Sequence, residues 1–188
     1  MTSIRTRMSR QRILDGAWNI LDTGSASDLT VDAIARTLHM SKSTLYKYFP
    51  SKEDVVVGLV QQACEQTDEE IRALARRLDA HDPGKSVGQV LELYARHAER
   101  LPRAVLLESD KLPAACVDRL EATWKQLHTV ASEAVGRGEE LAATALATSA
   151  RAAVVAAAGG QIAYDRGRAA RSLQPLFLHG LNGALTAV

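Results

Sequence analysis

Apolar positions recur along most of the chain at spacings of three and four, and nowhere do they keep the two-residue rhythm of a strand. Over 9–23, Ile13, Ala17, Ile20 and Leu21 share one helical face, and Gly24 supplies a stop. After a polar connector at 25–29, Thr30 is placed to cap a second helix of about two turns, with Val31, Ile34, Ala35 and Leu38 as its stripe. Only His39 and Met40 then intervene before Ser41, which caps a third helix, and Met40 can staple onto Leu45 from just outside it. Leu45 and Phe49, four apart, give this helix one apolar edge, and Pro50 ends it by pushing the preceding residue away from helical angles. The chain therefore turns sharply between two short helices.

The pattern then lengthens. The S-x-x-D of 51–54 is a short-armed capping box for a helix over 52–78, whose apolar positions are Val55, Val56, Leu59, Val60, Ala63, Ile71, Leu74 and Leu78, and which Asp82, Pro83 and Gly84 should break. Further helices are predicted over 85–101, 102–109 with Pro102 in the first turn, 113–135 up to Gly136 and Gly138, 139–166, and 172–186 with Pro175 near its start. The expected architecture is all-α with about nine helices. A boundary near Gln62, inside the long helix, divides the chain into a three-helix module at 1–61 with a helix-turn-helix and a helical domain at 62–188.

Composition agrees: the chain is 46 % hydrophobic but 4 % aromatic, and Ala, Leu, Arg and Glu all favour helices. A net charge of +1 excludes a generic polyanion binder, yet the charge is unevenly placed. Residues 1–52 carry eight basic against four acidic residues, while the other 136 carry 15 basic and 18 acidic, so the N-terminal part is the one suited to an anion. Within it, Arg5, Arg7, Arg10 and Arg12 read as a solvated tail that adds nonspecific phosphate affinity. Cys64 and Cys116 lack metal-ligand spacing and read as packed, reduced thiols. With no export signal and no bilayer-length apolar run, a cytoplasmic protein that does not engage a membrane is expected.

A tight turn between short helices presents the second of them to the DNA major groove, which is about 12 Å wide and admits one helix. Lys42, Ser43, Thr44, Tyr46 and Lys47 lie where base edges would be, with Ser41 at the helix start; Thr30, Tyr48 and Lys52 are placed for phosphates. The run T-V-D-A-I-A from Thr30 and the run S-K-S-T-L-Y-K-Y-F-P-S-K-E-D from Ser41 resemble the DNA-binding domain of the TetR (tetracycline-repressor) family, over about residues 9–60. That resemblance implies a nine-helix subunit, a homodimer joined through the last two helices, and a C-terminal pocket for a small-molecule effector. It also implies base reading by Lys42, Ser43, Tyr46 and Lys47. The family usually has glycine in the turn where this chain has His39, so a histidine must there accept positive φ.

The C-terminal half is quieter. Small residues before Gly159 and Gly160 permit close helix approach, a kink or a ligand-facing wall, and the apolar last helix suits a four-helix dimer bundle. Polar and aromatic residues on inward faces, Tyr94, His97, Trp124, His128, Gln161 and Tyr164, are the candidate pocket lining, and few aromatics favour a small or aliphatic effector. No phosphate-cradling loop, nucleophile motif or metal spacing supports an enzyme, and no catalytic residue, metal or cofactor is expected. The remaining alternative is a ligand-independent DNA-binding protein, which should fill its C-terminal core. Together these features point to a transcriptional regulator, a repressor released from a palindromic operator in double-stranded DNA by its effector.

Overall fold

The computed structural model describes residues 4–78, 82–136, 140–161 and 166–173. In chain order the helices are α1 (Ile4–Thr23), α2 (Val31–Thr37), α3 (Lys42–Tyr46), α4 (Lys52–Ala75), α5 (Pro83–Arg100), α6 (Arg103–Leu107), α7 (Ala114–Val135), α8 (Glu140–Ala158) and α9 (Arg166–Arg171), with single 3-10 turns at Ala26–Asp28 and Ser109–Lys111. All regular structure among the described residues is helical. None of these helices is long and apolar enough to cross a membrane.

The described residues of Met1–Ala63 and Leu101–Leu120 form one compact unit, and those of Cys64–Arg100 and Glu121–Val188 form another. The first is built on the expected stripes: Ile13, Ala17 and Leu21 of α1, Ile34 of α2, Leu45 of α3 and Val55 and Leu59 of α4 are all buried, with Leu29 and Phe49 between helices. Each of these side chains larger than alanine contributes about 1.5–3 kcal/mol by leaving water. In the second unit, Val87, Val90 and Leu91 of α5, Leu127 and Ala131 of α7, and Leu146, Ala150 and Val154 of α8 form the core. There α9 packs on α5 and α8, and Arg171 pairs with Glu99 of α5 at 3.1 Å.

Four local outcomes depart from the sequence expectation. Residues 101–120 cluster with the N-terminal module and not with their sequence neighbours. The Asp22 carboxylate accepts the Arg103 backbone N–H at 2.9 Å, Glu108 accepts the Ala26 N–H at 3.4 Å, and Leu101, Ala104 and Val105 are buried. Asp82, Pro83 and Gly84 start a helix and do not merely end one. Asp82 accepts the Lys85 N–H at 2.9 Å, and Pro83 occupies the first helical position, where its missing N–H costs nothing. The helix expected over 139–166 stops at Ala158: Gly160 takes φ +72°, its N–H donates to Ala157, and the Gln161 N–H donates to Ala156, a Schellman close. Gly159 and Gly160 thus terminate α8, and a separate α9 follows. The expected helix over 172–186, with its share of the dimer bundle, falls outside the described residues except for its first two positions.

The arginines at the N-terminus are the fourth. The first helix begins at Ile4, ahead of the expected 9, so Arg5 and Arg7 as well as Arg10 and Arg12 stand on α1 and not in a tail.

Candidate nucleic-acid interface

Helix α3 is five residues long, too short to hold itself in water, so its neighbours must hold it. Three devices do so. Ser41 Oγ accepts the Thr44 N–H at 3.1 Å, closing the N-terminal end, while Leu45 and Phe49 are fully buried behind the helix. Upstream, α2 ends in a Schellman motif in which the His39 N–H donates to Arg36 and the Met40 N–H to Ala35, at 3.2 and 2.9 Å. His39 carries the motif's left-handed position at φ +50°, where the family resemblance put a glycine.

The third device was not visible in the sequence. Arg10 donates from Nη1 to the Tyr48 carbonyl at 3.2 Å and lays its guanidinium 4.1 Å from the Phe49 ring centre. A cation at the carbonyl end of the α3 turn favours the helix electrostatically and hydrogen-bonds an end group that has no helical partner. Two glycines make room for this arrangement. A Cβ on Gly58 of α4 would lie 3.0 Å from Phe49 Cε1 and 3.3 Å from Arg10 Nη2, and one on Gly16 of α1 would lie 2.9 Å from Leu38 Cδ2 at the end of α2. Close backbone approach here leaves no trace in a hydrophobic periodicity.

Outward from this base, the sequence-selected residues share one module. Thr30, Ser41, Lys42, Ser43, Tyr46, Lys47 and Lys52 are exposed, and Thr44 and Tyr48 are half-buried. Tyr46 is 49 % exposed, one of only three large hydrophobic side chains so placed among the described residues. The helix itself ends at Tyr46, short of the expected Phe49, but the Phe49 N–H still reaches the Leu45 carbonyl at 3.0 Å, so the turn continues the same face. Thr30 and Ser41 double as N-caps: Thr30 Oγ1 accepts the Ala33 N–H at 3.0 Å, which leaves its hydroxyl proton to donate outward. Ser43 is less free, its Oγ lying 2.9 Å from that of Ser41. Lys42 forms an ion pair with Asp32 of α2, whose hydrogen bond and charge raise the lysine pKa above its ordinary value.

The candidate effector residues lie in the second unit. Tyr94, Trp124 and His128 line a groove of about 290 Å³ with Glu121, Lys125 and Arg151 among its other walls. The Tyr94 and Trp124 rings stack at 5.8 Å, and burial pushes the Tyr94 hydroxyl pKa well up. Arg151 stands 5.3 Å over Trp124 and holds Glu121 through two hydrogen bonds, which, against the opposing effect of burial, keep that carboxyl below its ordinary pKa. His97 is buried edge-on to Trp124 at 4.7 Å, its Nδ1 2.9 Å from Thr67 Oγ1, so it supports the groove from behind. Gln161 is exposed in the turn after α8 and does not line the groove, and Tyr164 lies outside the described residues. A larger groove of about 580 Å³ along α4 and α5, lined by Glu70, Arg77, Lys85, Glu92 and Arg96, went unnoticed in the sequence because its charges look like an ordinary solvated face.

Comparison with known proteins places this geometry. Residues 13–59 match the family pattern described as bacterial regulatory proteins, tetR family. The HTH-type transcriptional regulator EthR of Mycobacterium tuberculosis is 38 % identical over 63 residues, 34 % of this chain and 29 % of EthR, so the chain spans under a third of that curated relative. Two solved structures share the fold along nearly the whole length. A TetR-like transcriptional regulator from Rhodococcus sp. RHA1 superposes with a TM-score of 0.66 at 21 % identity, over 97 % of this chain and 99 % of that one. The regulator FadR from Bacillus subtilis, solved in complex with stearoyl-CoA, gives 0.58 at 17 %, over 89 % and 96 %. Residues 13–59 are thus similar to the DNA-binding module of the tetR family of bacterial regulatory proteins, and the chain as a whole shares the fold of these solved regulators.

Proposed function

We propose that this protein is a cytoplasmic, DNA-binding transcriptional regulator, a homodimeric repressor that a small-molecule effector releases from a palindromic operator. The observation that carries the reading is the division of α3 and the turn that continues it into two faces: Leu45 and Phe49 are buried, whereas Lys42, Ser43, Tyr46 and Lys47 are exposed on a segment braced from three sides. Lysines and a tyrosine so presented suit guanine acceptors and thymine methyls in a major groove, and Thr30, Tyr48 and Lys52 suit the flanking phosphates. In this reading residues 1–61 bind DNA and 62–188 bind the effector and dimerise through the last two helices. Two recognition helices meet successive major grooves about 34 Å apart, which is why a dimer calls for a palindrome.

An effector in the groove beside Tyr94, Trp124 and His128 is supported by that groove's aromatic floor and its charged rim of Glu121 and Arg151. The stearoyl-CoA bound by the FadR neighbour supports a small-molecule effector in a chain of this fold. The groove also favours a sensor over a ligand-independent DNA binder, and the protein acts by binding and not by turnover. Because α4 runs on from Lys52 toward Ala75, an effector that displaces its C-terminal part shifts the phosphate-facing end, and effector and DNA then oppose each other reciprocally. Footprinting the purified full chain on the DNA flanking its own gene, with and without candidate small molecules, tests the reading. Protection of a palindromic segment that an effector relieves is expected; absence of any protected segment at low salt overturns it.

A further inference from the structure

The pair between Asp32 and Lys42 joins the first turns of the two helices of the motif, and both side chains are open to solvent, at 59 % for the lysine and 57 % for the aspartate. Lys42 is the first residue of α3, the end at which a helix favours negative charge, so a lysine there is misplaced for helix stability. Asp32 answers it from α2. An ammonium has three N–H donors; with one turned to the Asp32 carboxylate, two remain, as many as the O6 and N7 acceptors of a guanine can engage. A phosphate makes a different demand. It accepts the same N–H donors but owes most of its hold on a lysine to the net positive charge, which the Asp32 carboxylate cancels while it repels the phosphate directly.

Resting on the DNA-binding reading above, we propose that Asp32 is a positioning residue that sets sequence specificity: it holds Lys42 as a neutral pair that reads a base but does not grip phosphates at random. Through Lys42 it thereby weakens binding to unmatched DNA more than to the matched site.

The test is a double-mutant cycle of Asp32→Asn and Lys42→Ala in the full chain. Each variant is titrated against two duplexes, one enriched by the wild-type protein from a randomised pool and one of sheared mixed-sequence genomic DNA. Asparagine keeps an acceptor at the start of α2 and removes only the charge. Freeing Lys42 to take one further phosphate should steepen the dependence of log K on log salt by about 0.9, which at about 0.1 M salt is roughly an eightfold gain in affinity for mixed-sequence DNA. Affinity for the enriched duplex should change less than twofold, so the ratio of the two affinities falls several-fold. With Lys42→Ala already in place, Asp32→Asn should leave the ratio unchanged within twofold, because general repulsion acts on both duplexes alike. A ratio that Asp32→Asn leaves intact in the wild-type background, or shifts equally with and without Lys42, overturns the role of Asp32 while the DNA-binding reading stands. Failure of the wild-type protein to enrich any sequence overturns both.

Discussion

His39→Gly should stabilise the protein, and the size of the gain follows from one dihedral angle. Among the described residues His39 is the only non-glycine residue at positive φ, at +50°, and both Schellman bonds around it are formed. Holding an L-residue in the left-handed region costs about 1–2 kcal/mol, and glycine removes that cost. Glycine in turn loses about 0.5–1 kcal/mol more backbone entropy on folding. The net expectation is a gain of about 0.5–1 kcal/mol, or a rise in Tm of about 1–4 °C for a chain of this length. The His39 side chain is exposed, so no packing is lost in the exchange. The chain has two tryptophans, and Trp18 sits on α1 of the same unit as His39. Denaturant melts followed by Trp18 fluorescence in a Trp124→Phe background therefore report on this unit. His39→Asn should fall between histidine and glycine, since its side chain tolerates the left-handed region, and His39→Ala should not exceed histidine. A glycine variant no more stable than the alanine variant would refute the reasoning, because the strain would then not be at φ.

Other consequences are as direct. Tyr46→Ala should lower affinity for an enriched duplex about tenfold or more while leaving stability within about 0.5 kcal/mol, whereas Lys52→Ala should weaken enriched and mixed-sequence duplexes equally and flatten the salt dependence by about one unit; gel-shift titrations at several salt concentrations separate the two. Arg10→Gln should cost about 1–2 kcal/mol in a denaturant melt through loss of the Phe49 and Tyr48 contacts, and should weaken DNA binding by loosening α3; a solvated tail residue would change neither. Burial alone would raise the Glu70 pKa, but hydrogen bonds from Arg100 and Arg96 and their charges outweigh it and hold the carboxyl below its usual range. A depressed carboxyl stabilises the fold fully above the unfolded value of 4.5 and loses that contribution as pH falls through the lower folded value, so Glu70→Gln should flatten the loss of stability below about pH 4.5 in urea melts across pH.

The motif was largely legible in the sequence because its determinants are local. Caps at Thr30 and Ser41 act within three residues, the stripes of α1 and α2 repeat every turn, and the positive φ at His39 was implied by the glycine that the resembled family has in this turn. Boundaries set by a competition between close alternatives were harder. Pro83 could end a helix or begin one, and the Asp82 carboxylate decided for the beginning; Gly160 could kink α8 or close it, and the bonds to Ala156 and Ala157 closed it. Of the pocket candidates, Tyr94, Trp124 and His128 came together in one groove because they stood on inward faces of long helices, while Gln161 had no such face to hold it.

By itself the sequence determined the short helices of the motif, the sharp turn between them and the residues offered outward from α3, since a helix face is fixed by a period of 3.6 residues whatever packs on it. Only the tertiary structure decided that Arg10 braces Phe49, that Gly16 and Gly58 admit their neighbours, that Asp32 meets Lys42, and that residues 101–120 join the N-terminal unit. Those are contacts between side chains far apart in the chain or on different helices. Their energies depend on distance and angle in space, which no spacing along a sequence records.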